Sequence, residues 1–234
     1  MIVYGKNVAN AIFAKETLYT QIQKIYFEEQ FLKKNPNFIP KRLESKVKSM
    51  SKQEMDRLAQ GLHQGIMLVM TDYQYTPLES LLATDPSFVL LLDHLEDPHN
   101  IGAIIRTAVA AGVDAIIIPS DRQVMINATV MKTSAGTLYD IPIVRVTNLH
   151  QTMLHLKEQG FWLVGTAMDG QDYKTIDYSG KIGLVIGNEG AGMHQLVRQT
   201  CDFIATIPMH RSIDSLNASV ASGIMIYEVI RHRK

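Results

Sequence analysis

Residues 181–193 read KIGLVIGNEGAGM, an apolar run that leads directly into three glycines arranged around one carboxylate, Glu189. Glycine at this spacing indicates a backbone that turns with positive φ or approaches a ligand closely. The loop lacks both the Lys-Ser/Thr pair of a P-loop and the G-x-G-x-x-G order of a dinucleotide fingerprint. The sequence therefore predicts a strand followed by a ligand loop, and it argues against an NTPase and a nicotinamide-dependent oxidoreductase.

Five further apolar runs of this kind lie between residue 85 and the C-terminus: FVLLLD, DAIIIPS, IPIVRV, FWLVGTA and FIATIP. Helical stretches or glycine-rich loops separate them, and two predicted helices end at Gly112 and Gly160, the favoured residue type just past a helix. Near-continuous Val/Ile/Leu runs are typical of strands covered on both faces. We therefore predict an α/β fold with a parallel sheet.

The first 70 residues differ in texture: they combine two predicted helices, NVANAIFAKE and MSKQEMDRLAQGL, with the short apolar segments KIYF and GIMLVM. We predict a small α/β domain over residues 1–70, a linker over 71–84 and the larger domain over 85–234. No apolar run reaches the roughly 20 residues that span a bilayer, and the N-terminus lacks the pattern of a secretory signal. A cytoplasmic protein without a membrane partner is expected.

Charge is segregated along the chain although the formal net charge is zero. Between residues 33 and 52, seven basic residues face only one acidic residue, a local net charge of +6. Such segregation fits an RNA-binding patch, and it equally fits a solvated lysine-rich surface. The candidate phosphate contacts in this segment are Lys33, Lys34, Lys41 and Arg42.

Metal and thiol chemistry are not indicated. Cys201 is the only cysteine, which excludes a disulfide framework and a multi-cysteine metal site. We expect it to be a small buried hydrophobe. The histidines, including His94 and His99, show no metal-ligand spacing, so no metal is expected.

Three polar clusters follow predicted strands. DPHNIGAIIRTA carries Asn100 and Arg106, GNEGAGM carries Glu189, and IPMHRSIDSLNASVASGIMIYE carries Ser215 and Asn217. Ligands in open α/β sheets lie beyond the carboxyl ends of strands, so the clusters are expected to converge. Each also has a purely structural interpretation: Asn100 as a helix cap, Ser215 and Asn217 as capping residues of the last helix, and Arg106 as a surface or ion-paired residue.

Together, in order and spacing, these clusters resemble the three motifs of the SpoU/TrmH class of RNA ribose 2′-O-methyltransferases in the SPOUT superfamily. The likeness covers residues 85 to the C-terminus, and KTSAG at residues 132–136 matches a further family stretch. VYGKN and LHQGI are similar to the small RNA-binding domain, related to certain ribosomal proteins, that precedes the catalytic domain in many members. Many relatives carry glycine at the position of Arg211, so this chain departs from the family in that loop.

The resemblance implies a trefoil-knotted domain with S-adenosylmethionine bound in the knot. It implies backbone contacts to the adenine from Gly187, Ile207 and Leu216. Because that ligand carries no polyphosphate, a glycine loop without lysine suits it. Members of the class are homodimers with active sites at the subunit interface, and the same is expected here.

The resemblance also assigns roles to the polar residues. Arg106 is implied to contact the ribose 2′-hydroxyl or an adjacent phosphate and to stabilise developing alkoxide charge, since a guanidinium is a poor base. Glu189 is implied to orient Arg106 or to take part in proton transfer. Asn100, Ser215 and Asn217 are implied to hold the reacting ribose and the neighbouring loops.

A separate N-terminal domain favours a guanosine ribose of large-subunit ribosomal RNA as the target. A transfer-RNA guanosine 2′-O-methyltransferase remains an alternative. A non-catalytic RNA-binding protein with this fold is a second alternative, which the five polar residues argue against.

Overall fold

A computed structural model describes residues 1–59, 61–210 and 215–233. The chain forms two compact units. The first comprises Met1–Gln74 with Ile126–Leu138, and the second comprises Tyr75–Met125 with Tyr139–Lys234. The domains predicted at 1–70 and 85–234 are each continuous, whereas the first unit also takes up a short segment from the middle of the larger predicted domain.

The first unit has a four-stranded mixed sheet and three helices in its N-terminal part. The strands are β1 (Ile2–Tyr4), β2 (Ile22–Phe27), β3 (Val47–Ser49) and β4 (Ile66–Met70), and the helices are α1 (Lys6–Phe13), α2 (Glu29–Lys34) and α3 (Lys52–Leu58). The sheet order is β1-β4-β2-β3, with β4 antiparallel to both neighbours and β2 parallel to β3. The strands predicted from KIYF and GIMLVM are β2 and β4. β1 and β3 were not predicted, because strands of three residues carry too little periodicity.

Six parallel strands form the sheet of the second unit, in the order β10-β8-β9-β5-β6-β7. They are β5 (Phe88–Asp93), β6 (Ala115–Pro119), β7 (Ile143–Val146), β8 (Phe161–Asp172), β9 (Lys181–Gly187) and β10 (Phe203–Thr206). All six predicted strands are confirmed. Every residue of β5 and β6 is buried, as expected for strands covered on both faces.

The remaining α-helices of the described residues are α4 (Leu78–Leu82), α5 (Pro98–Ala111), α6 (Ala128–Thr133), α7 (Leu149–Glu158), α8 (Gln195–Thr200) and α9 (Ala218–Arg231). All but α6 belong to the second unit. α4 falls inside the range predicted as linker, because its leucines pack on the core of the second unit. In the part of the chain that the structure describes, no helix is both long and apolar enough to cross a membrane.

The caps of α5 and α9 decide where the polar residues lie. Asp97 caps α5 by accepting a hydrogen bond from the His99 amide, so Asn100 is a buried residue of the first turn and not a cap. Asn217 caps α9 through its side-chain oxygen, so the expectation that Ser215 caps this helix is wrong. Both helices consequently begin with a carboxamide at or next to the first turn.

Residues 126–138, which include α6 and the KTSAG stretch, pack within the first unit. The Lys132 ammonium lies 5.1 Å from the ring centroid of Tyr4. Gly136 has φ +83°, and a Cβ there would lie 2.3 Å from the Cβ of Ala11. Only glycine allows this approach to α1, which gives the stretch a packing role that the sequence pattern did not reveal.

Candidate active site

The site lies where parallel strands of the second unit end together. Asp93, the last residue of β5, pairs in register with Gly187, the last residue of β9. A cavity of about 500 Å³ opens there between the middle of β8, the loop after β9 and the segment after β10. Its lining includes Gly187, Glu189, Ile207, Ser215 and Leu216, together with several apolar residues. The cavity therefore brings together five of the eight residues predicted for cofactor binding and catalysis.

The glycine loop, residues 187–193, is closed by its own backbone. Asn188 and Gly192 exchange two hydrogen bonds of 3.0 and 2.9 Å, N–H to C=O in each direction. The Asn188 side-chain oxygen accepts from the amides of Gly190, at 2.9 Å, and Ala191, at 3.2 Å. A Cβ on Gly187 would lie 2.6 Å from the Gly192 carbonyl carbon and from the Met193 nitrogen. The tight closure thus requires glycine at position 187 because there is no room for a side-chain carbon.

A chain of hydrogen bonds joins the three predicted clusters. The Asn100 amide donates to the Glu189 carboxylate, and the Asn217 amide donates to the Asn100 side-chain oxygen at 2.9 Å. The Asn217 oxygen in turn accepts from the Ser219 backbone amide at 3.0 Å, at the start of α9. Asn100 is buried and Glu189 is half-buried, so the chain runs from the core to the cavity wall. The carboxylate is therefore oriented by residues that lie 89 and 28 positions away in the sequence.

Arg106 and the segment around Arg211 lie differently. Arg106 is exposed on α5 and is not part of the cavity lining. No hydrogen bond or ion pair joins it to another residue among those that the structure describes, so the implied contact between Glu189 and Arg106 is not seen. Instead, Glu189 bonds to Asn100. Arg211, where the chain departs from the family, lies outside the described residues.

Two further residues of the cavity region carry charge that the sequence analysis did not assign. Arg198 lines the cavity and donates two hydrogen bonds of 3.0 Å to the carboxylate of Asp169. These hydrogen bonds lower the pKa of the Asp169 carboxyl. A spacing of 29 residues gives such a pair no recognisable pattern in the sequence.

Cys201 lies behind the glycine loop, with Met193, at the edge of the second-unit core. Burial raises the pKa of its thiol to about 12, and the nearby Asp202 carboxylate acts in the same direction. A thiol that stays protonated at neutral pH is a poor nucleophile. Cys201 packs against the core as expected of a small hydrophobe, but it is only partly buried, so the expectation of a buried residue is met in part.

Two histidines, a residue type whose spacing predicted no ligand role, meet at Asp93. Asp93 is fully buried, and one of its carboxylate oxygens accepts from His94 Nδ1 at 2.5 Å and from His194 Nδ1 at 3.2 Å. The two imidazole rings lie 4.0 Å apart between centroids. We call these three residues the Asp93 cluster. Spacing could not reveal it, since Asp93 and His194 are 101 residues apart; a carboxylate that ends a wholly apolar strand was the available signal.

The basic segment lies in the first unit, and its lysines do not all serve one purpose. Lys33, Lys34, Lys41 and Arg42 are all exposed. Arg42 differs from the three lysines because it forms an ion pair of 2.6 Å with Glu16. Lys46 is partly buried and donates to the carbonyls of Tyr19 and Ile22. Glu16 lies outside the segment, so the local net charge of +6 overstates the free positive charge at this surface.

Comparison with known proteins matches both parts of the chain. Residues 87–227 match the SpoU rRNA Methylase family, and residues 2–76 match the domain described as RNA 2′-O ribose methyltransferase substrate binding. A relative from Staphylococcus saprophyticus, assigned to the TrmH family of tRNA/rRNA methyltransferases, is 42% identical over all of this chain and 96% of its own length.

Two solved structures are similar over nearly the whole chain. The SpoU methyltransferase AviRb from Streptomyces viridochromogenes, in complex with AdoMet, has a TM-score of 0.83 at 25% identity and covers 100% of this chain and 90% of its own. The AdoMet-bound rRNA methyltransferase from Sinorhizobium meliloti has a TM-score of 0.79 at 26% identity and covers 99% and 87%. The chain therefore belongs to the SpoU/TrmH family of RNA 2′-O ribose methyltransferases.

Proposed function

We propose that this enzyme transfers a methyl group from S-adenosylmethionine to the ribose 2′-hydroxyl of a guanosine in large-subunit ribosomal RNA. The methylase family that matches residues 87–227 is described for rRNA, and the similar Sinorhizobium meliloti structure is of an rRNA methyltransferase. The assignment of the Staphylococcus relative covers both tRNA and rRNA, so a transfer-RNA guanosine is the alternative target. The observation that carries the proposal is the hydrogen-bonded chain from Glu189 through Asn100 to Asn217 beside the cavity.

The cavity suits S-adenosylmethionine. Its volume of about 500 Å³ lies in the usual range for small-molecule sites. Gly187, Ile207 and Leu216 line it, and their backbone groups are proposed to contact the adenine edge. Among the described lining residues no lysine occurs, and Arg198 is already paired with Asp169. A neutral adenosine and a sulfonium cation therefore fit better than a polyphosphate.

When bound, S-adenosylmethionine supplies an electrophilic methyl carbon, which the 2′-oxygen attacks in line as the carbon–sulfur bond breaks and a thioether leaves. The attacking hydroxyl must also lose its proton. Glu189 carries the only carboxylate among the described residues that line the cavity, and we assign it as the proton acceptor. Asn100 positions that carboxylate, Asn217 positions Asn100, and Ser215, exposed at the cavity, hydrogen-bonds the ribose.

Arg106 completes the proposal as the RNA-binding group of the catalytic half. Its exposure on α5 and lack of a described partner leave all five N–H donors for a phosphate and the developing 2′-alkoxide. The cofactor contacts are elsewhere, so its role is specific to RNA. Removing it is expected to stop transfer without releasing the cofactor.

In the proposed homodimer, the exposed face of α9 is buried at the subunit interface. Val220 and Tyr227 are 51% and 54% exposed and lie seven residues apart, which is close to two helical turns and puts them on one face. α9 packs against α5, the helix that carries Arg106, so a second copy seated on this face lies near the catalytic residues. Tyr227→Glu is expected to give monomers in sedimentation velocity, whereas Leu154→Glu, at an exposed leucine of α7, leaves the dimer intact. A monomeric wild type contradicts the proposal.

We also propose that the chain of the methyltransferase domain is knotted and that the first unit binds RNA. The family likeness supports a trefoil knot in the methyltransferase domain, and an experimental structure with an unknotted trace contradicts it. The match of residues 2–76 to a substrate-binding domain supports RNA binding by the first unit. Exposed Lys33, Lys34 and Lys41 are the proposed phosphate contacts, with Arg42 weakened by its pairing to Glu16.

A transfer assay with purified enzyme tests both the target class and the chemistry. Unmodified large-subunit rRNA and a transfer-RNA pool are each incubated with methyl-labelled S-adenosylmethionine, and labelled nucleosides are identified after complete digestion. We expect 2′-O-methylguanosine from the ribosomal RNA, and loss of label with Glu189→Gln although that variant binds the cofactor. Label in transfer RNA alone supports the alternative target, and label on a base contradicts the proposal.

A further inference from the structure

The Asp93 cluster holds both ends of the glycine loop. At the start of the loop, the side-chain amide of Asn188 donates to the His94 backbone carbonyl at 2.9 Å. At its end, the His194 backbone amide donates to the second carboxylate oxygen of Asp93 at 2.7 Å. Because Asp93 pairs in register with Gly187, these contacts lie directly beside the point where the loop leaves the sheet. Two consecutive residues of β5 and its following turn thus fix the loop at both ends.

Two features of the Asp93 cluster are energetically unfavourable, which indicates that the cluster has a function. His94 adopts φ +59°, a left-handed conformation that is uncommon outside glycine and costs a non-glycine residue stability. Asp93 is a fully buried carboxylate, which is unfavourable unless hydrogen-bonded. Its three partners are the Nδ1 atoms of the two imidazoles and the His194 amide, and because an ionised carboxylate can only accept, we assign the hydrogen of each ring to Nδ1.

We propose that Asp93, His94 and His194 are positioning residues for cofactor binding, which hold the glycine loop in its closed form before S-adenosylmethionine arrives. The inference rests on the proposed placement of the cofactor in the cavity. A preformed loop saves the ordering cost that binding otherwise includes. The cluster makes no hydrogen bond to Asn100 or Asn217 among the described residues. Because a bound cofactor itself holds the loop, with Glu189 in it, in the closed form, the cluster acts on affinity and not on the transfer step at saturation.

Substitution of His194 provides a matched pair, because this side chain is 45% exposed and its loss spares the core. His194→Leu removes the donor. His194→Asn keeps it, since the Asn Nδ2 atom occupies nearly the place of His Nδ1. We expect His194→Leu to raise the Kd for S-adenosylmethionine about tenfold, which corresponds to about 1.4 kcal/mol of binding free energy. His194→Asn should bind within about threefold of wild type, and His155→Phe, on an exposed histidine of α7, should match wild type.

Three further readouts separate positioning from general stability. In the transfer assay, His194→Leu should raise the KM for S-adenosylmethionine and leave kcat at saturation within about twofold. In the double variant Asp93→Asn/His194→Leu, the factor by which the Kd rises should be smaller than the product of the factors in the two single variants, because both substitutions break the same hydrogen bond. Affinities should be the same with EDTA in the buffer, and affinity that depends on a metal overturns the assignment.

Titration of wild type and of Gly187→Ala with S-adenosylmethionine distinguishes the proposed cofactor cavity from the proposed role of the Asp93 cluster. If wild type binds and Gly187→Ala does not, the cavity is supported. If His194→Leu then binds like wild type, or His194→Asn binds as poorly as His194→Leu, the positioning role is wrong while the cavity stands. A wild-type enzyme that fails to bind S-adenosylmethionine overturns both.

Discussion

Replacing Gly187 with alanine adds one carbon at the tightest point of the glycine loop. That Cβ would lie 2.6 Å from both the Gly192 carbonyl carbon and the Met193 nitrogen, whereas contacts below 3.4 Å are already tight. The facing atoms are backbone, so relief requires the loop to move by about 0.8 Å, the difference between the two distances. The pair of hydrogen bonds between Asn188 and Gly192 spans this gap and must stretch or break.

Two backbone hydrogen bonds at about 0.5–1.5 kcal/mol each put the cost at about 1–3 kcal/mol. If the closed loop is the form that binds the cofactor, the Kd for S-adenosylmethionine should rise about 5- to 140-fold in calorimetric titration. Gly223→Ala is the control: it makes the same chemical change within α9, where the nearest atom to the new Cβ outside the helix's own backbone is a Thr107 methyl carbon 3.9 Å away. Wild-type affinity in Gly187→Ala, or an equal loss in Gly223→Ala, refutes the reasoning.

Three other perturbations have definite outcomes. Arg106→Ala should nearly abolish methyl transfer with cofactor affinity unchanged and a stability change within about 0.5 kcal/mol, as for an exposed side chain. Arg106→Lys should stay nearly inactive if several N–H donors are needed, and substantial activity in it shows that charge alone suffices. Joint replacement of Lys33, Lys34 and Lys41 by glutamine should weaken RNA binding and reduce the slope of log K against log salt concentration by about 2 to 3. The control Lys174→Gln should leave that slope unchanged. An unaltered slope in the triple variant shows that the three lysines are solvated surface residues that do not contact RNA. Cys201, with its thiol pKa raised to about 12, should resist alkylation at pH 8.5 in native protein and react after unfolding, as followed by mass spectrometry; rapid native labelling contradicts the assigned burial.

The sequence predicted the sheet of the second unit well, because each strand is a long apolar run and the runs lie between recognisable helix ends. Gly112, for example, has φ +75° just after α5, as its position at the end of a helical stretch predicted. The convergence of the three clusters also followed from strand order alone, since the carboxyl ends of parallel strands share one edge.

Long-range contacts could not be predicted in the same way. The hydrogen bond between Asn217 and Asn100 spans 117 residues, and nothing in the local pattern distinguishes Asn100 from a helix cap until Asp97 is seen to fill that position. The Asp93 cluster depends on the register of β5 with β9. The packing of residues 126–138 in the first unit depends on contacts of Gly136 with α1.

The central claim, methylation of a ribose 2′-hydroxyl in large-subunit ribosomal RNA, is tested most directly in cells. Mass-spectrometric mapping of ribose methylation in total RNA compares the parent strain, a strain lacking the gene, and that strain carrying either the wild-type gene or Glu189→Gln. The account predicts one 2′-O-methylguanosine of the large-subunit RNA that disappears on deletion, returns with the wild-type gene and stays absent with Glu189→Gln. An unchanged ribose-methylation map in the deletion strain, or return of the modification with Glu189→Gln, contradicts it.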